Sequence, residues 1–388
     1  MNRITSYLLL ALFTFATITI LHAQQTAVIK EIEIDSKILN QKRPIYIYTP
    51  WEYAERNLVS FDVVYVFDAQ NREIFDLVHA SLNYVFLKKS FIVVGIASPA
   101  YEDSEYYRNS DFLPVPINVD IEKYQTDKPN AENFWRYCID EVMPFVSNNY
   151  RTTNVNYLIG HSLSASFVLD KAIHHNEPFK GFISISPNLA YDGERLTQDF
   201  LKFDFNKPSE NKFLYISQAN ELETWAKPWG EAYKKVKSFI DTKQSLGKFA
   251  IQVHEFPNYN HRSTVIPSMI DGLNLMADFI DKNPYVLKGD VREIMINVKV
   301  LNKDDEVFIA GNQESLGNWN PSKVKFNKVS DFERTLKVNV QFPIAFKLTK
   351  GSWQMEGLTD QTTSIMENVV INNLQSSTIN LRILEWLE

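Results

Sequence analysis

Ser162 lies in the run Asn156-Tyr-Leu-Ile-Gly-His-Ser-Leu-Ser-Ala-Ser-Phe167, where an apolar strand pattern passes through Gly160-His-Ser-Leu-Ser164 and straight into a helical one. A serine at so cramped a strand-to-helix turn has its hydroxyl lifted clear of the sheet. Backbone N–H groups at the helix start are then left to hold an oxyanion. Ser162 is the candidate nucleophile and the Leu163 N–H a candidate oxyanion donor. The third small residue of the turn is Ser164, where glycine is usual, a change the tight turn is expected to bear.

A serine alkoxide is out of reach at neutral pH unless a base removes the proton, so a histidine must be distant in sequence and adjacent in space. Of seven histidines, His261 is the best placed. It follows the strand pattern Phe249 to Phe256 in the loop Pro257-Asn-Tyr-Asn-His261, just before a helix expected to begin near Ser263. That is the carboxyl end of a late strand, where open α/β sheets keep their sites. His254 lies inside the strand and reads as a packed or edge residue. His174 and His175 close the helix after the elbow, where they are expected to serve its last carbonyls. His161 adjoins Ser162 and is expected to point away from its hydroxyl. An orienting acid should follow the strand Lys212 to Gln218, and Glu221 and Glu223 both do. Glu221 is preferred because it comes sooner, with Glu223 the alternative. The order serine, acid, histidine is that of the α/β-hydrolases.

The elements that must position these groups follow from hydrophobic periodicity. From residue 28 to about 283, strand-like and helix-like segments alternate. Ala27 to Ile34 and Arg43 to Tyr48 read as half-exposed strands, whereas Phe61 to Phe67 and Phe91 to Ile96 are continuous apolar runs, suited to strands covered on both faces. Helical spacing is found at Ile74 to Leu87 and Asn133 to Asn148, and a further strand at Gly181 to Ser186. The expected fold is a doubly wound α/β sheet with an antiparallel edge at its beginning. The turn after Phe67, around Ala69 or Gln70, would supply a second oxyanion N–H. Tyr107, Arg108 and Asp111 follow another central strand on the same edge. Arg108 is expected either to bind a carboxylate or sugar hydroxyl or to pin its own loop through Asp111.

Beyond residue 290 the pattern turns to short strands: 292–301, 306–310, 323–328, 334–340, 344–349, 368–372 and 378–384. Seven strands in so short a stretch predict an all-β sandwich. The expected division is a signal segment at 1–23, a hydrolase domain at 24–284, a linker at 285–291 and the sandwich at 292–388. Arg3, the apolar stretch Leu8 to Leu21 and Leu-His-Ala23 predict a cleavable secretory signal, hence a periplasmic or secreted protein with no stable membrane anchor. Cys138 is the single cysteine, so an internal disulfide is excluded and an ordinary apolar core must hold the fold. A net charge of −7 with interspersed signs argues against a nucleic-acid partner. The chain has no HExxH, no Cys-x-x-Cys and no phosphate-cradling glycine loop, so no metal and no organic cofactor is expected.

Four segments resemble the esterase family that includes esterase D and the siderophore esterases: FDVVYVFDAQ at 61–70, YYRNSDFLP at 106–114, YLIGHSLSASF with ISISPNLAYD at 183–192, and NYNHRSTVIPSMIDGL at 258–273. The resemblance implies Ser162 as nucleophile and His261 as base, with Ser186, Pro187 and Asn188 lining the pocket. Ser164 and Ala69 depart from its usual glycines. Such departures would narrow the entrance or alter an oxyanion donor. The C-terminal region resembles a family 20, starch-binding carbohydrate module through VFIAGNQESLGNWNP at 307–321 and IAFKLTKGSWQMEG at 344–357. That likeness implies Trp319 and Trp353 as faces on which sugar rings stack, and an α-glucan as a partner. It lacks the longer acidic segment that usually follows the second site. The chain thus reads as an exported serine ester hydrolase acting on an acylated carbohydrate or related small-molecule ester. A siderophore esterase is the alternative within the class, and an inactive glycan-binding protein the alternative outside it.

Overall fold

The computed structural model describes residues 27–86, 89–98, 107–118, 128–221, 227–243, 246–283, 290–362, 364–372 and 376–387. The expected signal segment, Glu223 and most of the expected linker lie outside the described residues.

The first sheet has eight strands: β1 (Val28–Ser36), β2 (Gln41–Thr49), β3 (Phe61–Phe67), β4 (Phe91–Ile96), β5 (Thr152–His161), β6 (Gly181–Ile185), β7 (Lys212–Ala219) and β8 (Phe249–Phe256). Their spatial order is β1-β2-β4-β3-β5-β6-β7-β8. β2 pairs antiparallel with both β1 and β4, and every later pair is parallel, which gives the antiparallel edge read from the sequence. Each residue of β3, β4, β6 and β7 is buried. The apolar runs are unbroken because both faces are covered, and alternate residues serve opposite faces. Val63, Tyr65 and Phe67 join one core with Phe112, Phe134 and Phe167, while Val64 and Val66 join another with Met269 and Leu273.

The helices bearing on the site are α1 (Arg72–Val85), α2 (Tyr107–Phe112), α3 (Ala131–Arg136), α4 (Met143–Asn149), α5 (Leu163–His174), α6 (Tyr191–Lys202), α7 (Lys227–Asp241) and α8 (Val265–Lys282). A π-helical turn, Tyr137–Val142, joins α3 to α4. Pro144 follows it at the start of α4 and has no N–H to give the preceding turn, so the widened turn meets a helix that already lacks one bond there.

The second sheet holds β9 (Val291–Lys299), β10 (Phe308–Gly311), β11 (Val324–Lys325), β12 (Asn327–Lys328), β13 (Glu333–Gln341), β14 (Ile344–Thr349), β15 (Glu356–Thr359), β16 (Val369–Ile371) and β17 (Thr378–Trp386). It is one hydrogen-bonded path, β11-β10-β14-β15-β17-β9-β13-β12, with β16 on β14, and so forms a nearly closed sheet. The expected strand 323–328 divides into β11 and β12 at opposite ends of this path. β15 carries no apolar alternation and was not foreseen. Its Gly357 is set by packing, since a Cβ there would come within 2.8 Å of the Trp386 ring. Inward residues such as Ile296, Ile309, Phe346 and Ile379 are fully buried and make a separate core.

The second sheet meets the first at the segment before β3. Arg56 Nη2 pairs with Glu367 at 3.0 Å, Leu58 N–H donates to Gln361 Oε1 at 3.1 Å, and Asn372 Nδ2 donates to the Ser60 carbonyl at 3.5 Å. This segment enters β3 at its amino end. The second sheet therefore docks on the edge opposite the carboxyl ends of the parallel strands. Among the described residues, no helix is long and apolar enough to cross a membrane.

Candidate active site

β5 delivers Ser162 to the start of α5 with φ 63° and ψ −123°, a conformation rare for a residue with a side chain and stored only where the surroundings enforce it. Two contacts enforce it here. The Ser162 N–H donates to the Ile185 carbonyl at 2.9 Å, and the Ser166 N–H to the Ser162 carbonyl at 3.1 Å. Gly160 is required, because a Cβ would lie 2.5 Å from the Ser164 carbonyl oxygen.

Ser162 Oγ lies 2.8 Å from His261 Nε2, and His261 Nδ1 lies 3.0 Å from Glu221 Oε1. With the carboxylate accepting at Nδ1, that nitrogen carries the proton and Nε2 is left to accept from the serine hydroxyl. Glu221 has a side chain 2% exposed. Its loop is tied to the histidine loop by the Asn220 N–H, which donates to the Tyr259 carbonyl at 2.8 Å. The histidine loop is shaped by Asn260, whose Oδ1 accepts the N–H groups of Arg262 and Ser263 at 3.0 and 2.9 Å. The Trp229 ring stands edge-on to the His261 ring at 5.3 Å.

The His161 ring lies 4.9 Å from the His261 ring and binds the histidine loop, a partner not legible in the local pattern. Its Nε2 lies 2.9 Å from the His261 carbonyl. A carbonyl only accepts, so His161 Nε2 carries a proton and donates it. Burial, reinforced by the neighbouring His261 imidazole, pushes its pKa down to about 4.

The oxyanion expectations divide. Leu163 opens α5, where the first N–H groups have no intrahelical acceptor. The Ala69 N–H donates to the Ile96 carbonyl at 3.2 Å, so Ala69 is occupied with the sheet and is corrected as a donor. Its methyl is fully buried beside Gly95. The Gln70 N–H donates to no group among the described residues. The Gln70 side chain fixes the turn, taking the Ser98 N–H on Oε1 at 2.9 Å and donating from Nε2 to Asp68 at 3.0 Å.

Arg108 pins its loop through Asp68 and not through Asp111. Its Nε and Nη2 grip the Asp68 carboxylate at 2.5 and 2.8 Å, and Nη2 also reaches the His161 carbonyl at 3.3 Å. Asp111 is held instead by the buried Arg43 and by Ser98 Oγ, the latter at 2.6 Å. Burial raises the Asp111 pKa against the pull of Arg43. Ser186 is buried at φ 47° with its Oγ accepting the Ala219 N–H at 3.1 Å. Asn188 Oδ1 accepts the Ala190 N–H at 3.1 Å, and the residue lines, with Leu163, Leu113 and Tyr191, a cavity of about 40 Å³ behind the elbow.

Of the remaining histidines, His254 Nδ1 meets Asp271 at 2.6 Å on edge strand β8. His174 turns back to Asp170 at 2.9 Å instead of capping carbonyls, and that contact raises its pKa. In the second sheet Trp319 and Trp353 are 39% and 37% exposed, so neither ring is a core residue.

The model of the family described as "Putative esterase" matches residues 36–264. No curated protein matches. Among solved structures, an IroE-like serine hydrolase from Shewanella oneidensis is 19% identical with a TM-score of 0.53, over 65% of this chain and 80% of its own. The siderophore hydrolase EstA from Aspergillus nidulans is 15% identical with a TM-score of 0.52, over 66% of this chain and 96% of its own. At such identities these likenesses show the fold. The family match spans more than half of the chain: it belongs to the esterase family and is a carboxylic ester hydrolase.

Proposed function

We propose that this esterase works through Ser162, His261 and Glu221 by way of an acyl-enzyme. The observation carrying the proposal is the continuous hydrogen-bonded chain from Ser162 Oγ through both His261 nitrogens to Glu221 Oε1. Ser162 Oγ attacks the ester carbonyl carbon as His261 Nε2 takes its proton. The tetrahedral oxyanion is held by the Leu163 and Gln70 N–H groups. Collapse breaks the bond to the alcohol oxygen, which receives the proton from His261. Water, deprotonated by the same nitrogen, then releases the acid and restores Ser162. Glu221 keeps Nδ1 protonated and steadies the imidazolium. The test is p-nitrophenyl acetate hydrolysis by wild type and Ser162→Ala, where loss of the nucleophile should lower kcat by at least about a thousandfold. Equal rates would end the proposal.

The substrate we favour is an acylated carbohydrate, supported by the exposed Trp319 and Trp353 on the second sheet. These rings would hold an α-glucan or related chain by stacking. The docking edge puts that sheet on the far side from Ser162, so it would act as a tether and not as a subsite. A siderophore ester is the second reading, prompted by the siderophore hydrolase of like fold. Mass spectrometry of products from acetylated or feruloylated glycans and from a ferric tri-catecholate ester separates the two, and no release from any glycan ester sinks the first. Against the inactive-protein reading stand Ser164, whose hydroxyl finds partners within the turn where glycine is usual, and Glu221, which reaches His261. Export to the periplasm or medium is proposed from residues 1–23, and N-terminal sequencing of the secreted protein tests it.

A further inference from the structure

Ser164 is fully buried at the elbow, and its hydroxyl is committed on two sides. It lies 2.7 Å from Asp68 Oδ2 and 2.9 Å from the His161 carbonyl, the two acceptors that share its one proton, and it accepts the His161 N–H at 2.9 Å. Asp68 begins the turn after β3 with φ 63°, and its other contacts are the Arg108 fork and Gln70 Nε2. A glycine at position 164 would satisfy the steric need of the turn and make none of the Ser164 side-chain contacts. Two segments that are 96 positions apart are thus linked by one hydroxyl. One segment carries the Leu163 N–H and the other the Gln70 N–H.

We propose that Ser164, Asp68 and Arg108 form a brace that sets the separation of the two oxyanion N–H donors, joining the nucleophile turn to the turn after β3. The three are positioning residues, and the inference rests on the oxyanion assignment made above. The physical ground is that donors stabilise the tetrahedral oxyanion only when held in place before it forms. A carboxylate gripped by a two-pronged guanidinium gives a more rigid anchor than a neutral contact. Because the donors act on charge present in the transition state, loosening them lowers kcat and leaves ground-state binding nearly unchanged.

The experiment uses the full chain carrying Ser164→Ala, Ser164→Gly, Asp68→Asn or Arg108→Lys. Three quantities are measured: kcat and KM on p-nitrophenyl acetate, the inhibition constant of an alkyl trifluoromethyl ketone that forms a hemiketal with serine, and Tm. Expected for Ser164→Ala and Ser164→Gly alike is a fall in kcat of about ten- to a hundredfold, in line with small misplacements of catalytic groups. KM should stay within about twofold, and ketone affinity should weaken in step with kcat. Arg108→Lys, which keeps the charge and loses the fork, should fall between wild type and Asp68→Asn. Wild-type kcat and ketone affinity in Ser164→Gly, with or without a lowered Tm, overturn the brace. If Asp68→Asn fails to fold, the two Ser164 variants decide the matter alone. An active Ser162→Ala would instead overturn the underlying mechanism, so the two failures are distinguishable.

Discussion

Two histidine–carboxylate pairs lie seven positions apart on β8 and the loop that follows it, and only His261 has a serine hydroxyl on its second nitrogen. His254 meets Asp271 at 2.6 Å, and Asp271 also accepts the Tyr215 hydroxyl at 2.8 Å. That imidazole is 39% exposed on an edge strand, with its carboxylate on α8. His261 meets Glu221 at a longer 3.0 Å, yet its side chain is 14% exposed and its second nitrogen faces Ser162. A short contact to a carboxylate therefore does not distinguish a base from a clip between strand and helix. What a proposed base needs besides is a hydroxyl on the other nitrogen and little exposure to water, and of the two pairs only His261 has both.

The sharpest way to break this contrast is to remove each ring. His261→Ala should lower kcat on p-nitrophenyl acetate by at least about a thousandfold, whereas His254→Asn should stay within about twofold. Comparable losses would erase the distinction. The acids come next. Glu221→Gln should reduce kcat by about a hundredfold or more by allowing the wrong tautomer, and Asp271→Asn should act on Tm alone.

The scaffold can be tested at Gly160, where alanine should destabilise the fold by about 1–3 kcal/mol through overpacking, read by denaturant unfolding. A smaller effect concerns His161. Its folded pKa of about 4 lies below the ordinary 6.5, so the unfolded chain takes up that proton first as pH falls. The stability it contributes is complete above pH 6.5 and declines toward pH 4. His161→Gln should show a flatter fall in unfolding free energy across that window than wild type, and identical slopes would remove His161 as the cause.

Much of the site was legible because its main signals are local. The elbow is a contiguous run whose Gly160 and Ser162 answer to one turn, and His261 follows the end of a strand identified by its own pattern. Glu221 was preferred over Glu223 on closeness to β7, and the histidine contact falls on Glu221. The partners of Arg108 and Ser164 were not legible. Asp68 is 40 positions from one and 96 from the other, and nothing in periodicity ranks it above the nearby Asp111. Ala69 reads as a donor in the sequence because a backbone N–H leaves no mark in the side-chain alphabet, and its bond to Ile96 exists only once β3 and β4 pair. β15 escaped notice because its four residues are held by pairing with β14 and β17 and not by an apolar alternation of their own.

The sequence by itself determined the alternating α/β order, the strand-rich tail, the cramped serine turn and the chain order of the serine, acid and histidine that the structure brings together, since each is written in short-range spacing or in buried residue type. Tertiary structure alone decided which carboxylate meets which cation, which N–H groups remain for an oxyanion, and on which edge the second sheet docks. Those outcomes depend on ångström-scale approach between segments far apart along the chain, where many residues of suitable type compete and only packing selects among them.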